Sequence, residues 1–267
     1  MTRLVIFFLL LFSSFSFASD KFSLRLNAQQ LDILGSLIWK NEGGQKIKNL
    51  THWNVGEAFP SLGIGHFIWY PTQNKGPFKE QFPQLLRYFT AHGVILPPWL
   101  VNAKLAPWKT RQQFYAQFDK PQLTKLRTLL NQQLRLQAAF IAQRLTASIP
   151  AILSSATAQE KLRIQENVQR LIAMPEGVFA LLDYVNFKGE GLLANETYQG
   201  QGWGLKQVLL NMPIHYKNPL RVFSFSADEL LTRRVKNASN DESHWLKGWR
   251  IRVHAYQTLH ITSSERE

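Results

Sequence analysis

NEGGQKIKNLTHWNVGEAFPSLGIGHFIWYP, residues 41–71, is the stretch that decides the fold. Upstream of it, Leu31, Leu34 and Ile38 fall on one stripe, and the stretch then opens with a carboxylate, Glu42, followed at once by two glycines. The spacing predicts a helix from Ala28, capped by Asn27 and stopped at Gly43-Gly44, because glycine is the usual residue just past a helix end. Residues 61–69 alternate or run apolar, which predicts one or two short strands ended by Pro71.

A carboxylate closing an apolar helix meets the negative end of the helix dipole, and Ile38 and Trp53 are expected to crowd it with apolar surface. That is the setting of a general acid able to protonate a glycosidic oxygen. Glycoside cleavage also needs a second group across the sugar, a carboxylate or a positioned water. Glu57, ahead of the strands, is the nearest acid that can share the cleft, and Ser61 can hold a water. Gly63 and Gly65 are expected to let the backbone approach a bulky polysaccharide. Trp53, Trp69 and Tyr70 flank the expected cleft and offer ring faces for sugar stacking.

Working outward, Arg3, the apolar run Leu4–Phe12 and the small residues ending at Ala18 have the order of a secretory signal cut after Ala18. The expectation is therefore a periplasmic or secreted protein, with residues 19–267 as one domain. No later stretch offers about 18 consecutive apolar residues, so no membrane span is expected once the signal is removed. The chain has no cysteine, so no disulfide contributes to its stability. Its formal charge of +13 favours polyanionic surroundings such as a cell wall, although solvated helix faces account for basic residues equally well.

Beyond Pro71 the chain reads as helical, with the proline-rich residues 97–107 separating a small lobe (about 27–96) from a helical lobe (about 108–260). Asp119 and Pro121 predict the start of one long helix carrying Leu123, Leu126, Leu130, Leu134, Ile141 and Leu145. Thr157 to Glu160 and Ser226 to Glu229 both match a capping box. Helices are further expected around Val178–Asn186 and Gly204–Asn211, and a last one carrying Trp249, Val253 and Tyr256. Gly200-Gln201-Gly202-Trp203-Gly204 either cradles an anion at a helix start or packs as a tight loop. The polar run Asp183 to Gly191 repeats the helix-end logic at Glu190, which with Glu196 and Gln207 is expected to form the opposite wall of the cleft. The fold class is mainly α with a small β-hairpin.

The seven histidines include no pair at i,i+3 or i,i+4, and HExxH, GxSxG and Walker A patterns are absent. No metal and no cofactor are expected.

The Glu-Gly helix end, a short insertion, a hydrophobic-Gly-Ile-Gly-His hairpin and a helical remainder resemble the phage-type lysozymes and the wider lysozyme-like superfamily. The resemblance spans residues about 38–70. It implies a lysozyme-like fold, a peptidoglycan substrate, Glu42 as general acid and Ser61 on the nucleophilic face, with Asn54 and His66 among the substrate-binding residues. The family's aspartate, six residues before that serine or threonine, falls on Val55, so either Asn54 or Glu57 substitutes or nothing does. The alternatives are a lytic transglycosylase-like or chitosanase-like enzyme, and a non-catalytic glycan-binding or envelope protein keeping the fold. A specific nucleic-acid partner rests on charge alone and is not expected.

Overall fold

The computed structural model describes residues 22, 24, 26–74, 76 and 78–261. The expected signal, 1–18, lies outside them. Helix α1 (Ala28–Gly43) has the expected ends: Asn27 and Gln30 form a reciprocal capping box, and Gly44 adopts the left-handed conformation at φ 56°. Leu34 and Ile38 are buried on its inner face. Gly35 lets α1 approach α6 (Leu134–Ser154) closely, since a Cβ there would stand 3.2 Å from the Leu134 carbonyl oxygen.

After a single 3-10 turn, three two-residue strands form an antiparallel sheet: β1 (Thr51–His52), β2 (Ser61–Leu62) and β3 (Phe67–Ile68). The expected hairpin is β2–β3. Strand β1 escapes a pattern reading because two residues carry no periodicity. The tight β2–β3 turn is built on glycine for packing. At Gly63 (φ 74°) a Cβ would stand on Gln137 Oε1, and at Gly65 it would meet the Phe67 ring. Gln137 Oε1 accepts instead from Ile64 N–H at 3.0 Å, tying the turn to α6. The protein's own packing demands these glycines, and Gly65 also lines the cleft described below.

The remaining helices are α2 (Phe82–Ala91), α3 (Pro98–Val101), α4 (Arg111–Ala116), α5 (Pro121–Gln132), α7 (Ala158–Ile172), α8 (Pro175–Lys188), α9 (Leu205–Asn211), α10 (Pro219–Asn237) and α11 (Ser243–Ala255). A second small sheet pairs β4 (Thr197–Tyr198) with β5 (Gln201–Gly202). The fold is thus mainly helical with small antiparallel strand pairs. One contiguous apolar core reaches from Leu34 to Ile261 and includes Trp69, Phe82, Ile141, Leu181 and Leu231.

Two expectations on helix limits are corrected. The long helix from Pro121 is two helices, α5 and α6, broken at Gln133. There the Leu130 carbonyl, which a continuous helix would give to the Leu134 N–H, accepts from Gln137 Nε2 at 2.7 Å. The capping pattern at Ser226 starts nothing. Asn218 caps α10 by accepting from Arg221 N–H, and Ser226 lies buried in mid-helix. Thr157 does form its capping box.

Helix α6 is long and apolar enough to cross a membrane by length and composition, and half of its apolar window is buried within the protein. It packs against α1, α2, α7 and α8.

Candidate functional site

A cleft of about 540 Å³ separates the three-stranded sheet from α8 and its following loop. Glu42, Asn54, Glu57, Ser61 and His66 line one side. Arg144, Asn186, Lys188, Glu190 and Glu196 line the other. A larger hollow, about 1000 Å³, lies beside α2. Its one carboxylate, Glu80, accepts from Tyr70 N–H at 2.8 Å, so no acids converge there.

The last turn of α1 delivers Glu42 to the cleft, but its surroundings are polar rather than apolar. Its Oε1 accepts from Arg252 Nη2 at 2.5 Å, and its Oε2 lies 3.2 Å from His66 Nδ1. The Arg252 guanidinium, on α11, also donates twice to Asp183, from Nε and Nη2 at 2.8 Å each. Asp183 is fully buried and takes further bonds from Tyr256 Oη at 2.6 Å and Asn41 Nδ2 at 3.2 Å. Burial opposes the charge of Arg252, but Asp183 and Glu42 together carry its pKa well above the usual arginine value. Arg252 therefore stays cationic and bridges a structural carboxylate to one that opens on the cleft.

His66 holds a left-handed backbone, φ 46°, at the end of the β2–β3 turn, and its side chain is about one-third exposed. Burial lowers its pKa, against the opposing pull of Glu42. The ring is thus neutral at neutral pH and can meet Glu42 Oε2 as donor or acceptor, according to tautomer.

Glu57 sits in the loop before β2. Its Oε1 accepts from Asn54 Nδ2 at 3.0 Å, and Asn54 Oδ1 is 2.8 Å from His52 Nε2. The other oxygen, Oε2, is buried without a protein partner among the described residues, an unmet acceptor at the edge of the cleft. Ser61 lines the same wall from β2. Val55 points to solvent, 82% exposed.

On the far wall Glu190 accepts from Ser148 Oγ at 2.6 Å. Glu196 faces the cleft but its Oε2 accepts from the Leu192 and Leu193 N–H groups, which holds the loop. Gln207 is corrected: it lies beneath the loop, donating to the Gly191 carbonyl at 3.0 Å, because Gly191 and Gly202 leave room only for its amide. The glycines at 200–204 pack as a tight loop. The first N–H groups of α9, on Leu205 and Lys206, bond the Gly189 and Glu190 carbonyls and are not free for an anion.

Trp53, Trp69 and Tyr70 are also corrected, since each is at most 2% exposed and none reaches the cleft. Trp69 stands among Phe82, Trp99 and Trp108, and Trp53 packs edge-on against Phe114. Large rings beside a small sheet bury more apolar area inward than a cleft can cover. The aromatic faces that do line the cleft belong to Phe59, Phe78, Phe187, Tyr198 and Trp203. Sequence reading also missed Arg252, Arg234 and Arg144. A signal existed for the first: Arg252 shares the α11 face of Trp249 and Tyr256 at i+3 and i+7, an odd place for a cation without a buried partner.

In comparisons with protein-family models, curated proteins and solved structures, nothing matches the chain.

Proposed function

We propose that the protein is a lysozyme-like, exported enzyme that cleaves peptidoglycan, with Glu42 as general acid and Glu57 as the second carboxylate. The observation that carries the reading is the gathering of Glu42, Asn54, Glu57, Ser61 and His66 along one wall of a single cleft, with Glu190 across it. The charge of +13 suits an anionic wall polymer.

In this reading Arg252 fixes Glu42 through Oε1 and leaves Oε2, on the His66 side, to carry the proton. Oε2 passes it to the glycosidic oxygen as the bond to the anomeric carbon breaks. Glu57 then draws a proton from the water that attacks that carbon and releases it to solvent, or stabilises the positive charge there. The products are two hydroxyl ends, and Glu42 is reprotonated from solvent.

The test is mass spectrometry of the products released from purified sacculi by wild type and Glu42→Gln. Reducing-end fragments from wild type and none from the variant are expected. Anhydro-ended fragments would instead make it a transglycosylase, with Glu42 acting alone as acid and base. That alternative is favoured by one observation, the exposed Val55 where the family has its aspartate. A wild-type protein that adheres to sacculi and releases nothing would be a binding protein.

A further inference from the structure

Lys188, the last residue of α8, is only 9% exposed yet lines the cleft. Its Nζ lies 3.3 Å from the centre of the Trp249 ring and 4.1 Å from that of Phe187. Among the described residues no carboxylate comes within salt-bridge distance of it, although buried ammonium groups are ordinarily paired.

The acids whose field reaches Lys188 are all engaged elsewhere. Glu242 accepts from Arg234 through both oxygens and from Tyr198 Oη. Glu42 is held by Arg252 and faces His66, while the nearby Asp183 is saturated by Arg252, Tyr256 and Asn41. Two cations, Arg234 and Arg252, press on the same amine. Burial first, and then these two arginines, push its pKa down to about 6, with Glu242 and Glu42 opposing weakly. The cleft wall therefore presents an amine that has ring faces for company and no anion of the protein's own.

We infer that Lys188 is the receptor for a carboxylate carried by the glycan, so that the cleft selects polymers with free carboxylates over neutral ones. The inference rests on the function proposed above and adds the substrate class. A carboxylate entering beside Phe187 and Trp249 supplies the missing counter-charge, and the amine takes up a proton as it binds. Arg234 and Arg252, each already paired, keep the surrounding field positive without competing for the ligand.

The experiment compares intact sacculi with sacculi whose carboxylates have been converted to methylamides. Release rates are measured for wild type, Lys188→Met and Lys188→Arg, with circular dichroism as the check on folding. Wild type should prefer the free carboxylates by about ten- to hundredfold, the yield of one charge-assisted bond. Lys188→Met should lose most of that preference, keeping only the share that general charge attraction gives, and Lys188→Arg should recover part of what is lost. General attraction between a basic protein and an acidic wall acts on all three alike, so the change in preference isolates the residue. If Lys188→Met does not fold, Lys188→Gln takes its place. A preference as large in Lys188→Met as in wild type overturns the inference and leaves the proposed function standing. Wild type that cleaves neither polymer overturns both.

Discussion

Glu42 and Arg252 are 210 positions apart in the chain and 2.5 Å apart in space. The same guanidinium grips Asp183, so the end of α1, the middle of α8 and the end of α11 meet at one cation. The candidate acid is therefore held by the same contact that closes the helical core.

Removing that cation should be costly. Arg252→Met leaves Asp183 buried with no counter-charge, and ~3–5 kcal/mol of stability should be lost in urea unfolding. Adding Asp183→Asn should recover part of it, because the neutral amide no longer needs the arginine. Additive losses in the double variant would mean that the two residues are not coupled.

Glu57→Gln tests the second carboxylate. Turnover on sacculi should fall by ~10²–10⁴, the range of general acid–base effects, while sedimentation with sacculi stays close to wild type. Unchanged turnover would leave Glu42 without a protein partner.

Lys188→Met should stabilise the protein at neutral pH. The amine has a folded pKa of about 6 against about 10.4 unfolded, so between these values the unfolded chain holds a proton that the native one lacks. The resulting penalty is full at and below about pH 6, shrinks as pH rises and vanishes near pH 10. The expected gain at pH 7 is at least ~1 kcal/mol, or ~2–4 °C in Tm, and it should narrow towards pH 10. A gain independent of pH would assign the effect to packing.

Gly63→Ala and Gly56→Ala separate crowding from backbone strain. Both positions have positive φ, 74° and 83°, but a Cβ at 56 meets nothing within 4 Å whereas one at 63 lands on Gln137 and Phe67. Thermal unfolding should show Gly63→Ala worse by ~1–3 kcal/mol, the usual cost of overpacking. Equal losses would show that only φ matters.

Local signals carried far in this chain. Asn27, Gly44 and Thr157 act within one turn of themselves, so α1 and the start of α7 were legible from residue type and spacing. Glu42, Asn54, Glu57, Ser61 and His66 were legible as one group because they sit within 25 positions around a single hairpin. The break at Gln133 and the continuity of α10 through Ser226 were not, since each depends on which carbonyl a distant side chain or an upstream cap takes.

The sequence by itself determined a mainly helical chain, the ends of α1 and the clustering of polar groups at 42–66. Tertiary structure alone decided what those groups meet. Burial sent Trp53, Trp69 and Tyr70 inward, because ring area counts most where water is excluded from both faces. Packing placed Arg252 against Glu42 and left Lys188 facing rings rather than a carboxylate. Charge pairing is a matter of distance in space, and no local pattern encodes a partner 210 residues away.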